Sequence, residues 1–437
     1  MQVDPGAATP APEPDPFAEL QRRTLRVLVA SQILGGIGVG AGLAVVSLLA
    51  YELAGTAALS GVPATASTIG AAAAAIAIAR ISIRRGRRPG LVAGYLVGAL
   101  GATLAIVAAV TDGFSLHVVA SFAIGWASAA NLQARYAATD LAPPASGAKA
   151  LSTVVWATTV GAVLGPNLTG PGEALSATWS LPPLAGAYVF AVVSFLTAAL
   201  VQFVGLRPDP LLHLRAGSPA VDAATSARDG SLSLALRTVR EQPAALAALL
   251  SIAAAHATMI GVMVMTPVHM ENHGAVLRLV GITISLHIAG MYAFSPVVGW
   301  FADRVGRRPV LLAGFVQLAA AGVLAATVPS TGNPAFQFGL ILLGTGWSCA
   351  LVAGSALLSE AVAPPRRPAV QGVSDLVMNL AGAVGGTLAG VVLAVAGFEA
   401  LALGSLLLLA VPAAAVWRLP GRPTQPVVLD GPDGGPR

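Results

Sequence analysis

The chain is a succession of apolar runs, each about as long as a membrane-crossing helix, with short polar turns between them. A bilayer core of about 30 Å needs about 20 apolar helical residues to cross it. Twelve such runs can be laid out, at about residues 25–50, 57–79, 90–111, 115–137, 149–168, 183–205, 244–267, 276–301, 310–328, 335–358, 371–395 and 399–418. The sequence therefore predicts an all-α integral membrane protein with twelve transmembrane helices.

Composition agrees with this class of protein. The chain is 56% hydrophobic and only 10% charged, whereas a soluble domain carries about 25% charged residues. The net charge of +5 does not indicate a nucleic-acid partner, because the basic residues follow the turns between the apolar runs. One cysteine is present, Cys349, so no disulfide is expected.

Orientation follows from the arginines and the single lysine, which favour the cytoplasmic side of a membrane. With the N-terminus inside, cytoplasmic segments carry 23 of the 24 basic residues, and only Arg278 falls outside. A multi-pass protein of the cell membrane (inner or plasma) with both termini in the cytoplasm is expected.

Five segments are predicted along the chain. They are a disordered cytoplasmic tail (1–24), an N-terminal six-helix bundle (25–205), a cytoplasmic central linker (206–243), a C-terminal six-helix bundle (244–418) and a second disordered cytoplasmic tail (419–437).

The two halves repeat each other. The stretch 299–309 reads Gly-Trp-Phe-Ala-Asp-Arg-Val-Gly-Arg-Arg-Pro, and a weaker copy, Gly-Arg-Arg-Pro, lies 220 residues earlier at 86–89. Gly-Trp at 125–126 recurs at 346–347, and Pro-Pro at 143–144 recurs at 364–365, both at an offset of 221. Two bundles of the same topology are therefore predicted, related by an axis along the membrane normal.

Six plus six helices, a long central loop and Gly-x-x-x-Asp-Arg-x-Gly-Arg-Arg at 299–308 resemble the major facilitator superfamily over about residues 25–418. The resemblance implies two six-helix bundles that enclose a substrate site near the middle of the membrane. It also implies that the charged turn is a conformational latch, with an aspartate that meets an arginine and the positive N-terminal end of a neighbouring helix. The alternative is a solvated loop that only sets orientation. The residues assigned to the latch are Gly299, Asp303, Arg304, Gly306, Arg307, Arg308, Arg87, Arg88 and Asp375.

The first-half copy of this turn departs from the pattern. Ile83 stands where the aspartate belongs, and Ala79 stands where the first glycine belongs. A latch there would depend on arginines alone, namely Arg84, Arg87 and Arg88. By pseudosymmetry, Asp375 near the cytoplasmic end of the eleventh helix is their predicted partner.

Predicted helix 5 carries small residues four apart, which favour close helix packing. Its Gly161, Gly165, Pro166 and Gly170 resemble the antiporter signature of the drug:proton branch, with Thr169 in place of one glycine. Generic packing is the alternative, because the chain contains 49 glycines. Predicted helix 4 has Ser121 where that branch carries an arginine.

Ionisable groups within the membrane are costly, so each suggests a function. Candidates for substrate contact or proton coupling are His256, His287, Asn131, Arg135, Trp156, Met259, Met263 and Tyr292. The histidines titrate near physiological pH, or else they are neutral and bond a neighbouring helix. Arg135 would hold Asp140 or a helix end, or meet an anionic substrate. Core packing is the alternative for the methionines and aromatics.

The sequence thus predicts a secondary active transporter that works by alternating access, with proton-coupled efflux of lipophilic or amphipathic compounds as the first hypothesis. A metabolite uptake permease is the alternative within this class, and a non-transporting sensor or scaffold on the same fold is the alternative outside it. The expected partners are a small-molecule substrate and the lipid bilayer, with no nucleic acid, and a monomer is expected. No nucleotide motif or catalytic constellation is present, so neither an enzyme, a cofactor nor a metal site is predicted, only an ion gradient, of protons.

Overall fold

A computed structural model describes residues 18–56, 59–216, 232–330 and 332–419. Sixteen α-helices lie within these ranges. They are α1 (Ala18–Ala54), α2 (Val62–Arg85), α3 (Arg87–Val110), α4 (Phe114–Ala137), α5 (Gly147–Asn167), α6 (Thr169–Trp179), α7 (Ala185–Gly205), α8 (Pro210–Ala216), α9 (Leu232–Glu241), α10 (Pro243–Asn272), α11 (Leu277–Tyr292), α12 (Ser295–Val305), α13 (Arg307–Thr327), α14 (Pro334–Glu360), α15 (Arg367–Ser405) and α16 (Leu407–Trp417). One-turn 3₁₀ helices, Pro144–Ser146 and Pro364–Arg366, precede α5 and α15.

Eleven segments of the described chain are long and apolar enough to cross a membrane, and the last of them, Pro364–Trp417, has 54 residues. A straight helix of that length would extend for about 80 Å, more than twice the thickness of a bilayer core. Gly397, at φ +84°, breaks it. Beyond the break, the Phe398 ring stacks on His269 at 4.1 Å, and the Leu419 carbonyl accepts a bond from Arg308. The last segment therefore crosses twice, and the predicted twelve crossings are confirmed.

The helices form two halves, each around its own apolar core. The first-half core draws its members from residues 28–206, and the second-half core from residues 247–416 together with a few α5 residues. Much of the first-half core is alanine, which lets helices approach closely where lipid gives no hydrophobic drive for their association. Large apolar side chains such as Leu100, Leu200 and Val316 remain exposed on the outer surface, as contact with lipid requires.

Helices α1 and α5 pack backbone against backbone. A Cβ atom added to Gly161 would lie 2.5 Å from the Cα of Gly36, and one added to Gly165 would lie 2.6 Å from the Cα of Gly40. The small residues four apart in α5 therefore interlock with a matching pair in α1. Pro166 lies in the last turn of α5, and the chain continues into α6 after one residue, Leu168.

Two predictions about the ends of the halves need correction. The disordered tail 1–24 is wrong for residues 18–24, because α1 begins at Ala18 and buried Gln21 donates to the carbonyl of Ala138 at 2.7 Å. Residues 1–17 and 420–437 lie outside the described residues. The linker 206–243 contains two helices, α8 and α9, and residues 217–231 between them also lie outside the described ranges.

The halves meet along two seams, α2 with α15 and α5 with α12, at the end of the bundle that carries the arginine-rich turns around residues 86 and 306. We call this the arginine-rich end. A Cβ on Gly372 would lie 2.6 Å from the Cβ of Ala79, and a Cβ on Gly299 would lie 2.7 Å from the carbonyl oxygen of Ala148. Glycine thus permits the closest approach of the halves at each seam.

Replacing Gly161 by leucine is expected to lower the melting temperature of the purified protein by several degrees, since the new side chain would overlap the α1 backbone. Overpacking of this kind costs about 1–3 kcal/mol. Gly170→Leu is the control, because no atom lies within 4 Å of a Cβ added at Gly170. Equal melting temperatures for the two variants would contradict the α1–α5 contact.

Candidate functional site

At the α5–α12 seam, Asp303 of the second half caps a helix of the first half. Its Oδ1 accepts a hydrogen bond from the backbone N–H of Ala148 at 3.0 Å, and its Oδ2 accepts one from the N–H of Lys149 at 2.8 Å. These groups belong to the first turn of α5, whose N–H groups lack intrahelical partners and carry the positive end of the helix dipole. A carboxylate at this position is therefore stabilised only while the two halves are together.

The arginines of the 299–309 turn differ in what they contact. The Nη2 of Arg307 lies 3.0 Å from Asp303 and 2.5 Å from Glu360, so one guanidinium joins two carboxylates. Arg308 donates to the Leu419 carbonyl at 2.7 Å. The guanidinium of Arg304 lies over the Trp300 ring, 5.1 Å from its centroid. Gly306, at φ +101°, makes the sharp turn between α12 and α13, a conformation that side chains rarely adopt.

In the first-half copy, Arg87 forms a buried ion pair with Asp140. Its Nε lies 2.7 Å from one carboxylate oxygen and its Nη2 lies 3.0 Å from the other, and both side chains are 1% exposed. The same guanidinium donates to Gln371 of the second half at 2.7 Å. Arg87 and Asp140 each lie 220 residues before Arg307 and Glu360, so this pair is the first-half counterpart of the Arg307–Glu360 pair.

The prediction that Asp375 pairs with the first-half arginines is wrong. Its Oδ1 lies 2.5 Å from Nη2 of Arg135, and both side chains are almost fully buried. Arg135 also donates to the Leu132 carbonyl at 2.6 Å and to Ser355 Oγ at 3.2 Å. Asp140 is occupied by Arg87, which leaves Arg135 to extend across to the second half, so the expectation that Arg135 holds Asp140 is wrong as well. The second oxygen of Asp375, Oδ2, is buried and has no partner among the described residues.

Arg88 contacts the linker rather than the second half. Its backbone N–H donates to Asp209 Oδ2 at 2.7 Å, so Asp209 caps α3. Its guanidinium lies over the Phe203 ring, 5.5 Å from the centroid. Asp209 was not singled out from the sequence, although it is the first acidic residue after α7.

The α2–α15 seam is apolar where the α5–α12 seam is polar. Ile83, at the position equivalent to Asp303, lies in one apolar cluster with Val370 and Val373 of α15. Ala235 and Val239 of the linker helix α9 belong to the same cluster. The first-half copy therefore replaces a carboxylate contact with apolar packing that the linker helix covers.

Of the predicted coupling residues, His256 joins an aromatic group in the second half. Its Nδ1 accepts a hydrogen bond from Trp347 Nε1 at 2.9 Å, and the Tyr292 ring meets the Trp347 ring edge-on at 5.6 Å. Met259 is 2% exposed in the second-half core, and Met263 packs against that core. The methionines thus act as core residues.

The remaining candidates lie apart from one another. Nδ1 of His287 bonds the Leu340 carbonyl at 2.9 Å, and the imidazole is buried between α11 and α14. Asn131 accepts a hydrogen bond from Tyr95 Oη at 2.7 Å inside the first half. Trp156 is 39% exposed.

A cavity of about 220 Å³ lies in the first half and reaches the second half through a single residue, Asn379 of α15. It is lined by Val39, Gly42, Leu43 and Val46 of α1, Ala64, Ser67, Thr68 and Ala71 of α2, Ser121, Ile124 and Ser128 of α4, Tyr188 of α7, and Asn379. None of the eight predicted coupling residues is among them. The hydropathy pattern marks which residues avoid water, but it does not show where neighbouring helices leave a gap.

Comparison with known proteins agrees with this architecture. The family model described as Major Facilitator Superfamily matches residues 27–276 and 248–435. An uncharacterised MFS-type transporter of Bacillus subtilis, YddS, is 38% identical over 405 residues, 92% of each chain. The riboflavin transporter RfnT of Brucella anthropi is 27% identical over 365 residues, 83% of this chain and 86% of RfnT. The crystal structure of the human organic anion transporter MFSD10 superposes with a TM-score of 0.72 at 19% identity, and the match covers 91% of this chain and 99% of MFSD10.

The chain belongs to the major facilitator superfamily. It is a multi-pass membrane transporter with the two-bundle fold, rather than an enzyme.

Arg87→Gln is expected to destabilise the protein strongly, because it leaves the Asp140 carboxylate buried without its partner. Breaking a buried pair in this way costs about 3–5 kcal/mol. The double variant Arg87→Gln/Asp140→Asn should recover most of the loss in melting temperature. The matched control is Glu241→Gln, which breaks the exposed Arg237–Glu241 pair and should change little. A double variant no more stable than Arg87→Gln would contradict the assignment.

Proposed function

We propose that this chain is a secondary active transporter that exports small lipophilic or amphipathic compounds in exchange for protons. The observation that carries the proposal is the closure of the arginine-rich end by polar contacts between the halves: Asp303 with α5, Arg135 with Asp375, and Arg87 with Gln371. We call these three contacts the gate. Alternating access requires contacts of this kind, which exist in one state of the halves and are released in the other.

The positive-inside rule places the arginine-rich end in the cytoplasm, together with both termini, in the cell membrane. In that orientation the gate is closed to the cytoplasm and the structure is outward-facing. The cavity near Asn379 is then on the path that opens to the exterior. Opening the gate would turn the same path toward the cytoplasm.

In this proposal Asp303 is the latch. Its two backbone partners belong to the other half, so the contact must break when α5 and α12 separate. Arg307 stays with Glu360 of its own half and would hold the charge of Asp303 during that movement. Gly299 permits the close approach that brings Asp303 to the helix end. The antiporter-like glycines of α5 belong to the same account, because their packing on α1 lets α5 move with its half.

Proton coupling is assigned to Asp375 rather than to a histidine. Its carboxylate is fully buried and has one oxygen paired with Arg135 across the interface and one without a partner in the described structure. A proton taken up on Oδ2 would neutralise the carboxylate and leave Arg135 buried without a counter-charge. An unpaired buried charge costs about 3–5 kcal/mol, enough to shift a two-state equilibrium by about 10²–10³. Protonation would therefore favour the open gate, in which Arg135 is hydrated.

Several other groups act on this pair and belong to the same titration. The titratable or charged side chains in electrostatic contact with Arg135 or Asp375 are Tyr136 of α4, Arg87 of α3, His256 of α10 and Tyr292 of α11. From α14, only the hydroxyl of Ser355 meets Arg135 directly. Among the described side chains, Asp375 is thus the acidic member of a group that is otherwise basic or neutral.

The direction of exchange follows from these states. A proton from the exterior reaches Asp375 in the outward-facing state, the gate opens, and the proton is released to the cytoplasm. Substrate from the cytoplasm binds in its place and returns with the closing gate. His287 does not fit this role because α11 and α14 enclose it, and His256 is held by Trp347 within one half.

A metabolite is the alternative cargo. The relative RfnT is named a riboflavin transporter, which supports a vitamin or similar neutral metabolite as the substrate, with uptake as the direction. The non-transporting alternative has less support, because YddS and RfnT are both named transporters.

Everted membrane vesicles distinguish these possibilities. With the vesicle interior acidified, an exporter should accumulate a lipophilic fluorescent dye inside the vesicles, and the accumulation should collapse with a protonophore. Gradient-independent behaviour of the dye together with gradient-driven riboflavin flux would favour the metabolite transporter. No flux of either compound under any gradient would contradict a proton-coupled exporter and a riboflavin permease alike.

Asp375→Asn is expected to abolish proton-driven accumulation while substrate exchange across the vesicle membrane continues, since asparagine is a permanently neutral equivalent of the protonated acid. The pH dependence of exchange should disappear in this variant. Asp303→Asn is the matched comparison, and it should slow exchange and accumulation together while membrane insertion is unchanged. Full proton-driven accumulation by Asp375→Asn would contradict the assignment of coupling to this residue.

A further inference from the structure

The cavity in the first half contains polar groups that the protein itself leaves unsatisfied. Ser121 is 1% exposed and Tyr188 is fully buried, and both line the cavity. Neither hydroxyl has a hydrogen-bond partner among the residues that the structure describes. Buried hydroxyls are nearly always paired with protein or with an ordered molecule, so two unpaired ones in one cavity call for an occupant.

The walls exclude a charged occupant. The polar lining consists of hydroxyl groups and the amide of Asn379, and none of the thirteen lining residues is ionisable at neutral pH. The rest is apolar and includes Val39, Leu43, Val46 and Ile124. An ion placed there would lose its hydration without gaining a counter-charge, which is strongly unfavourable.

The size of the cavity limits the occupant as well. Its 220 Å³ equals about seven water molecules at about 30 Å³ each and falls below the roughly 300–1,000 Å³ of a site for a drug-sized ligand. One ring with its substituents fits this space, whereas a larger substrate would place only one moiety there.

From these observations we propose that the cavity between α1, α2, α4 and α7 binds an uncharged, partly apolar ring, as a whole molecule or as one moiety of it, through hydrogen bonds to Ser121 and Tyr188. The inference rests on the proposed transport function, for which it specifies the substrate class. The site belongs almost entirely to the first half, so the second half meets the occupant only through Asn379.

Asn379 connects this site to the gate. Its Nδ2 donates to the backbone carbonyl of Asp375 at 2.7 Å, one helical turn away in α15. An occupant that contacts Asn379 therefore contacts the turn that carries the gate carboxylate. Occupancy of a first-half site is in this way transmitted to the contact between the halves.

The test uses hydroquinone, an uncharged ring with two hydroxyl groups, added to the purified full-length protein. Saturable binding is measured by calorimetry and by the rise in melting temperature. Toluene has the ring without the hydroxyls, and 4-hydroxybenzoate adds a negative charge. Hydroquinone should bind at least about tenfold more tightly than either, a difference of about 1.4 kcal/mol.

Ser121→Ala and Tyr188→Phe should each weaken hydroquinone binding by about tenfold, which corresponds to the loss of one hydrogen bond. Both variants remove a hydroxyl that has no protein partner, so both should fold with unchanged or higher melting temperatures when no probe is present. Ser348→Ala is the matched control, because Ser348 also has a buried, unpartnered hydroxyl but belongs to the second half. It should bind hydroquinone like the wild type.

Absence of saturable hydroquinone binding would overturn the inference and leave a cavity filled by water alone. Equal binding by wild type and Ser121→Ala, or equal weakening by Ser348→Ala, would overturn it too. These outcomes are separate from the proposed function. Dye export with no hydroquinone binding refutes the site and leaves the transporter, whereas site-dependent binding with no flux under any gradient refutes the transporter and leaves the site.

Discussion

The ion pair between Arg135 and Asp375 is the interaction on which the account depends. One partner comes from each half, and both are buried where water cannot compensate either charge. Such a pair adds little net stability compared with apolar packing, but loss of either charge leaves the other stranded at high cost. The pair therefore makes the contact between the halves conditional on the charge of Asp375, a property that apolar packing at the same place would lack.

The repeat explains why this sensitivity lies between the halves. Positions 220 residues apart keep one ion pair inside each half, Arg87–Asp140 and Arg307–Glu360, and these pairs stabilise a bundle whichever state the gate adopts. The repeats differ where the halves touch. Asp303 corresponds to Ile83, and Arg135 corresponds to Ser355, which is itself a partner of Arg135.

The first-half seam shows the physical consequence of this difference. With Ile83 in place of an aspartate, apolar contacts with α15 close the seam, and the linker helix α9 covers them. Two seams with different chemistry respond differently to a proton, because only the polar one and the adjacent Arg135–Asp375 pair involve charge. Asymmetry between two similar halves thus supplies the directionality that a symmetric pair of bundles would not have.

Much of the fold could be predicted from the sequence, because a membrane imposes length, apolarity and charge placement on each crossing helix separately. The twelve crossings, the two halves and the small-residue contact of α5 all follow from such local rules. The partner of Asp375 did not follow, since it depends on the rotation of α4 relative to α15. The cavity was also missed, because Ser121 and Tyr188 are ordinary residues in apolar helices, and only the packing of four helices leaves their hydroxyls unpaired.

The central claim is that the charge on Asp375 controls separation of the halves at the arginine-rich end. Its most direct test is the distance between spin labels at Arg84→Cys in α2 and Arg304→Cys in α12, with Cys349→Ser removing the native thiol. Both positions are exposed, and they belong to opposite halves. The account predicts a single short distance for the charged carboxylate at high pH, and a population at longer distances both in acid and in the Asp375→Asn variant. Distance distributions that are identical under all three conditions would contradict it.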